Sequence, residues 1–423
     1  MANIGVIGTG YVGLTTAVCF AELGHSVVGF DIDKAKINTL SSGKSTIHET
    51  GMSELISKNL ANKNLSFGND IKIIQECDFI FLCVPTPQDA DGSADLSYVI
   101  KAARDLSQLL KKNSTLVTKS TVPVNAWEDV VAALNRNDVA VVSNPEFLRE
   151  GSAIEDFFNP DRIVVGCVDD SKAKLVSDLY NQINIETIIT DNSSAELIKY
   201  ASNSFLAIKL SYVNEIAALC EAVGANAKDV LSGMGKDSRI GSRFLEPGPG
   251  WGGSCFPKDV RALRVTAEDN AISMSLLTAA LESNEKTHRR IVDKVEKELG
   301  NSLIGKTISV WGLTFKANTD DMRESPAIAV IERLIGRGAS VVAFDPVVKN
   351  IENNKIKITK TLEESCESAD AILILTEWNE FAKVKPESVK HLVKNKIIVD
   401  ARNFLDKDLW INSGFKFIGN GWQ

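Results

Sequence analysis

A chain of 423 residues, 44% hydrophobic and 24% charged, has the composition of an ordinary folded protein and is too long for one core. Its net charge of −8 excludes a broad cationic surface for nucleic acid or anionic lipid, while leaving room for a local basic pocket. The seven cysteines, at 19, 77, 83, 167, 220, 255 and 366, form no CxxC pair, metal-ligand cluster or even framework, so reduced thiols in a cytoplasmic protein without a metal site are expected.

The opening stretch, MANIGVIGTGYVGLTTAVCFA, is apolar enough to imitate a signal peptide. It lacks a basic n-region and is punctuated by Gly5, Gly8, Gly10 and Gly13, so it reads as strand, turn and helix. No apolar run approaches the ~20 residues that span a bilayer. From residue 3 to about 190, β-branched runs (NIGVIG, SVVGFD, FIFLCVP, STLVTKS, VAVVSNP, RIVVGCV) alternate with helical patterns, which predicts parallel strands joined by crossover helices. Gly8, Gly10 and Gly13 follow the first strand and open a helix, and Asp31 ends the next strand, 18 residues past Gly13. In that register the glycines let the backbone approach a pyrophosphate, while Asp31 accepts from a ribose 2′-OH and repels a 2′-phosphate. Asp33 adds to the repulsion, which favours NAD over NADP. The plainer alternative is a glycine turn that only packs helix on strand.

Between about Ser194 and Gly224 one long helical stretch runs without internal proline or glycine, suited to linking two domains. Apolar residues on more than one side, including Phe205, Leu206, Leu210, Val213 and Ile216, suit packing between domains or across a dimer. More helix extends to about residue 300. A second alternation then begins at Gly305 with KTISVWGL, ASVVAFDP, AILILTE and KIIVDAR. The expected fold is α/β: two Rossmann-like doubly wound domains, 1–193 and 301–423, joined by the long central helix and a helical middle domain, 194–300. The turn of the second alternation, residues 311–325, lacks the glycine fingerprint and offers Lys316 and Arg323 as phosphate partners or as plain surface charges.

The stretch GPGWGGSCFPKDV, residues 248–260, sets Cys255 between glycines and a helix that Pro257 can begin. A helix N-terminus and nearby cations favour thiolate, the form that attacks a carbonyl carbon; glycines 248, 250, 252 and 253 would leave space for a ligand. A packed, inert thiol is the competing reading. Lys199 and Asn203 share a helix face, Asp259 lies four residues past Cys255, and Thr121 follows a strand end. Glu146 and Glu150 have helical spacing, for which a solvated helix face is the plain alternative.

Blocks in one order then resemble the UDP-glucose/GDP-mannose dehydrogenase family, and within it the UDP-sugar 6-dehydrogenases. They are GTGYVG with Asp31, CVPTP (83–87), KSTVP (119–123), NPEFLREGSAI (144–154), ELIKYASN (196–203), RIGSRFL with GPGWGGSCFPKD (239–259), GLTFKANTDDMRESPA (312–327) and VDARN (399–403). GGSCFPKD and LTEW (375–378) look like the enzymes acting on UDP-glucose. The chain departs from the family at residues 45–51, STIHETG, where Thr50 stands in place of a proline.

The resemblance implies an NAD-dependent, four-electron oxidation of UDP-glucose to UDP-glucuronate through a cysteine thiohemiacetal and thioester. Cys255 would be the nucleophile; Lys199 and Asp259 would orient water or alkoxide; Asn203 would donate to an oxyanion; Thr121 and Glu150 would assist the proton and water steps. NAD contacts would fall to Gly8, Gly10, Tyr11, Val12, Gly13, Asp31, Lys36, Pro85, Thr86, Thr121, Glu150, Lys258 and Arg323. Substrate contacts would fall to Glu146, Phe147, Leu148, Lys199, Asn203, Phe244, Gly252, Phe315, Lys316 and Arg402, with Arg239 reaching a neighbouring subunit of a homodimer. A dehydrogenase of another UDP-sugar, such as UDP-N-acetylmannosamine, and a nucleotide-sugar sensor without turnover are the alternatives.

Overall fold

The computed structural model describes residues 1–351 and 353–422. The chain divides into two compact units, Met1–Ser202 with Arg261–Ala271, and Asn203–Val260 with the residues from Ile272 onward. The division falls inside the long helix, Asn192–Val223, whose bounds lie within two residues of those expected from its unbroken pattern.

The first unit is built on eight strands: β1 (Asn3–Ile7), β2 (Ser26–Phe30), β3 (Leu65–Gly68), β4 (Phe79–Leu82), β5 (Thr115–Thr118), β6 (Ala140–Ser143), β7 (Ile163–Gly166) and β8 (Thr187–Thr190). Their order is β3-β2-β1-β4-β5-β6-β7-β8, so the first six follow the doubly wound 3-2-1-4-5-6 pattern, with its switch point between β1 and β4. Helix Tyr11–Glu22 buries nine of its twelve residues, Gly13 to Ala21, and so seats the glycine turn firmly on the sheet. Its Phe20 lies 5.1 Å from Phe81 and 5.0 Å from Tyr180, ring centre to ring centre.

Parallel pairing throughout is the expectation from the sequence, and β7 departs from it by pairing antiparallel with β6. The consequence is topological. An antiparallel neighbour begins at the edge where its partner ends, so the segment from Asn144 to Arg162 stays at the carboxyl edge of β6 instead of crossing back. That segment carries Glu146 and Glu150.

The second unit holds a six-stranded sheet: β9 (Thr307–Trp311), β10 (Ser340–Phe344), β11 (Ile356–Ile358), β12 (Ala371–Ile374), β13 (Ile397–Asp400) and β14 (Lys416–Ile418). All its pairings are parallel, in the order β11-β10-β9-β12-β13-β14, the 3-2-1-4-5-6 pattern a second time. Trp311 anchors its core against Phe381 and Trp410. Helices Ala227–Gly235, Phe256–Asp269 and Ser275–Glu298 lie in sequence between the two sheets. Among the described residues no helix is long and apolar enough to cross a membrane.

Candidate active site

The three fingerprint glycines do different things. Gly8 has φ +91°, and a Cβ there would sit 2.6 Å from the Cys83 carbonyl oxygen; a Cβ on Gly13 would lie 1.9 Å from the Gly8 carbonyl oxygen. Both are therefore demanded by the packing of turn, helix and β4. Gly10 has φ −71° and nothing within 4 Å of its Cβ position. It caps a helix with no side-chain partner and no acid in the first turn, so an open, positively polarised helix end faces clear space, which fits a dinucleotide pyrophosphate. Asp31 receives the Thr9 N–H and hydroxyl, both at 2.9 Å, the Asp33 N–H at 3.0 Å and the Lys36 ammonium at 3.0 Å. Burial raises its pKa, but these bonds outweigh it and hold the carboxylate below its usual range. Pro85 and Thr86 follow β4 at the carboxyl edge, exposed and half-buried, with the Ser120 hydroxyl donating to the Val84 carbonyl at 2.7 Å.

Tyr11 and Val12 begin the helix, and the Tyr11 hydroxyl donates to Glu49 and accepts the Gly151 N–H at 2.6 Å. Glu49 in turn accepts from the Ile154 N–H. The departing loop with Thr50 is thus tied, through Glu49 and Tyr11, to the segment after β6.

Residues Glu146–Glu150 do not form the helix face that their spacing allows; they lie in irregular chain after β6, with Glu150 in a turn. Glu146 is buried, and its carboxylate accepts from Lys199 at 2.8 Å and from the Leu148 N–H at 2.6 Å. Lys199 also donates to the Glu146 carbonyl at 2.7 Å and stands 5.4 Å from the Phe147 ring, which carries Arg162 at 3.8 Å on its face. Thr121, Lys199 and Glu196 line one small cavity with Ser143 and Pro145. Leu148 and Glu150 are half-buried.

In the second unit Cys255 is the one half-exposed cysteine; the other six of the chain are buried. The helix begins at Phe256, one residue earlier than Pro257 predicts, because proline needs no N–H partner anywhere in the first turn. The Cys255 carbonyl accepts the Asp259 N–H at 3.0 Å, which makes Cys255 the residue at the helix cap, where the dipole favours thiolate. Asp259, fully buried, accepts from Asn203 at 2.6 Å and Lys258 at 2.7 Å. The sulfur lies 3.6 Å from the Ser254 hydroxyl.

The neighbouring glycines are not open space. A Cβ on Gly250 would meet His288 Nε2 at 2.6 Å, on Gly252 the Glu324 carbonyl at 2.0 Å, and on Gly253 the Phe315 ring at 2.8 Å. On the side where a Cβ would stand, they let the loop pack against the protein itself. Phe244, ahead of this loop, holds an uncommon φ of +60°, with its ring 6.4 Å from that of Phe256.

At the carboxyl ends of the second sheet, Arg402 donates to the Leu375 carbonyl at 2.9 Å and the Phe315 carbonyl at 3.0 Å, and pairs with Glu377 at 3.0 Å. It thereby spans the loops after β9 and β12, the switch point of this sheet. Lys316 stands 5.5 Å from the Phe315 ring, and Arg323 pairs with Asp321 at 2.7 Å. Arg239 is exposed and pairs locally with Asp237 at 2.6 Å.

Residues 2–184 match the NAD binding domain, 193–286 the central domain and 309–407 the UDP binding domain of the UDP-glucose/GDP-mannose dehydrogenase family. The chain belongs to the UDP-glucose/GDP-mannose dehydrogenase family. It is a dehydrogenase whose cofactor is NAD. Among its relatives in the family, a UDP-glucose 6-dehydrogenase of Rhizobium meliloti (strain 1021) is 44% identical over 99% of both chains. One of Bacillus subtilis (strain 168) is 42% identical over 99% of this chain and 97% of that protein. A solved UDP-glucose dehydrogenase from Pyrobaculum islandicum superposes with a TM-score of 0.93 at 36% identity, over 100% of this chain and 98% of that one. A UDP-D-ManNAc dehydrogenase from Pyrococcus horikoshii gives 0.89 at 28% identity, over 99% of each.

Sequence reasoning missed several buried polar groups of this family member. Glu196 accepts from the Asn125 N–H at 2.8 Å, the Trp127 N–H at 3.2 Å and the Ser143 hydroxyl at 3.1 Å. Burial pushes its pKa up to about 8 despite those bonds. Lys119 donates to Asn144 at 3.1 Å, and burial pushes its pKa down to about 8. The signal for Glu196 was present, since it lies three residues before Lys199 on one helix face; that for Lys119 was not, because its partner is 25 residues away.

Proposed function

We propose that the protein oxidises UDP-glucose to UDP-glucuronate in two steps at one carbon, consuming two NAD and one water. The reading is carried by Cys255, half-exposed at a helix cap beside Lys258, Asp259 and Asn203, in the unit containing the UDP binding domain; relatives alike over their full length support the sugar. NAD would be held by the open helix end at Gly10 and by Asp31, and two molecules bound in succession would each accept one hydride. Val12, Lys36, Pro85, Thr86 and Arg323 complete its contacts.

In the first step the C6 hydroxyl loses its proton, with Lys199 and Asp259 orienting the alkoxide through water, and C6 leaves hydride to become aldehyde. The Cys255 thiolate then bonds C6, giving a thiohemiacetal whose oxyanion is met by Asn203 and Lys199. Loss of a second hydride converts this to a thioester. Water, assisted by Thr121 and Glu150, adds to the thioester carbonyl, the C–S bond breaks, and carboxylate leaves with the thiol restored. Phe315, Lys316 and Arg402 hold the UDP, while Glu146, Phe147, Leu148, Phe244 and Gly252 bound the sugar. With UDP-glucose, two NADH per sugar are expected; a stop at one, with free aldehyde, refutes the thioester. Cys255→Ser keeps substrate binding and loses net turnover.

A UDP-N-acetylhexosamine substrate is the second reading, supported by the likeness to the Pyrococcus horikoshii enzyme; kcat/KM for both sugars separates the two. We also infer a cytoplasmic homodimer of three-part chains, 1–193, 194–300 and 301–423. Phe205, Tyr212 and Leu219 are each more than half exposed at seven-residue spacing on the long helix, the repeat of a helix–helix seam. Arg239 then serves the neighbouring subunit's substrate.

A further inference from the structure

Asn420, two residues past β14, is 1% exposed and uses every polar group it has. Its N–H donates to the Asn403 side chain at 2.7 Å, and its carbonyl accepts from the same side chain at 2.6 Å. Its own side chain donates to the Gly248 carbonyl at 3.1 Å and accepts from Lys294 at 3.2 Å. Asn403 follows Arg402 directly, and Gly248 begins the loop that ends at Cys255. The segment itself is pinned: Glu221 accepts the Gly421 N–H at 2.6 Å, and the Gly421 carbonyl accepts the Ala227 N–H at 2.9 Å.

Beyond Gly248 the loop has little freedom to absorb a shift. Asn214 accepts the Gly248 N–H at 2.9 Å, and Asn284 holds both the N–H and the carbonyl of Trp251, at 2.8 and 2.9 Å. The backbone at Gly250, Gly252 and Gly253 presses on His288, Glu324 and Phe315 with no room for a Cβ. A displacement at Gly248 is therefore passed along the chain to the helix cap.

We propose that Asn420 is a positioning residue that fixes the loop carrying Arg402 to the loop carrying Cys255, and so sets where a sugar anchored by its UDP meets the sulfur. The inference rests on Cys255 as nucleophile. An error of about 1 Å in such a distance costs up to roughly 100-fold in rate while leaving the anchor intact.

Asn420→Asp keeps the size and the acceptor for Lys294 but replaces the donor to Gly248 with an oxygen; Asn420→Ala removes both side-chain bonds. Expected is a fall in kcat of at least about 10-fold in the full-length protein, with the UDP dissociation constant from calorimetry nearly unchanged. Wild-type kcat in Asn420→Asp overturns the proposal. So does a parallel loss of UDP affinity and kcat, or unfolding of both variants, since the residue then only packs. Cys255→Ser is assayed alongside: turnover retained there refutes the nucleophile, whereas an inactive Cys255→Ser with a fully active Asn420→Asp refutes the positioning role alone.

Discussion

Two alanine substitutions three residues apart, Gly10→Ala and Gly13→Ala, separate ligand space from packing in the cofactor fingerprint. At Gly10 the backbone is extended, with φ −71° and ψ −166°, which alanine adopts without strain, and nothing lies within 4 Å of the new carbon. The stability cost is that of a poor helix cap, about 1 kcal/mol or less. The same carbon occupies the space a pyrophosphate must enter to reach the helix N–H groups, and a 10- to 100-fold weaker Kd for NAD, about 1.4–2.7 kcal/mol, is expected. At Gly13 the order reverses. The new carbon would lie 1.9 Å from the Gly8 carbonyl oxygen and 2.9 Å from the Cys83 Cβ, and since the nearer atom is backbone, relief means moving the turn or the helix. Overpacking of this kind costs about 1–3 kcal/mol or more, a fall in Tm of roughly 2–12 °C for a unit of this size. Thermal denaturation of the free protein and calorimetric NAD titration measure the two effects separately. Wild-type NAD affinity in Gly10→Ala, or a stability loss there equal to that of Gly13→Ala, refutes the division of labour.

Glu146→Gln leaves Lys199 buried without its carboxylate and should destabilise by about 3–5 kcal/mol at neutral pH. Burial raises the Glu146 pKa, but the charge and hydrogen bond of Lys199 outweigh it and hold it low; the stabilisation is therefore present above the usual carboxylate range and lost as pH falls through the lowered value. Denaturant titrations should show the wild-type and Glu146→Gln curves converging in acid. Glu196 runs the other way. Its pKa is raised to about 8, by burial first, so the folded state holds its proton more tightly than the unfolded chain and stability declines from about pH 4.5 to 8. Glu196→Gln should flatten that decline; an unchanged pH slope refutes it. Phe205→Glu combined with Tyr212→Glu should convert a dimer to monomer in sedimentation experiments, and a protein that is monomeric to begin with refutes the seam.

The central strands of both sheets were legible because each is buried on two faces and so reads as an apolar run: FIFL of β4 and AILI of β12 are examples. β3, β8, β11 and β14 were not, since LSFG, TIIT, IKI and KFI are the short edge strands of the two sheets and carry polar residues. The antiparallel β7 was hidden for a different reason. RIVVGCV carries the same apolar signal whichever way it runs, and only pairing reveals direction. In the site, Cys255 at a helix cap and the Gly10 turn could be read from local chemistry. The pairing of Lys199 with Glu146, 53 residues apart, could not, and helical spacing within NPEFLRE pointed to a face that does not exist.

The two sheets also explain why one fingerprint was visible and the other was not. Each ends its second strand in an aspartate that receives backbone N–H groups from the turn after its first strand: Asp31 from Thr9 at 2.9 Å, Asp345 from Leu313 at 2.8 Å. In the first sheet the turn after that contact opens at Gly10 directly onto a helix, leaving bare N–H groups for an anion. In the second, Asp345 is buried and also accepts the N–H groups of Val347 and Val348, and the chain continues for fourteen residues from Gly312 to Ser325 before its helix begins at Pro326. That helix is capped by Ser325, whose oxygen takes the Ala327 N–H, so its dipole is already engaged. The longer loop carries Phe315 and Lys316 in its place, and the loop after β13 carries Arg402, the three residues proposed above to hold UDP. Anion recognition by a helix end needs glycine and leaves a pattern in sequence; recognition by side chains drawn from separate loops needs only the strand order to gather them.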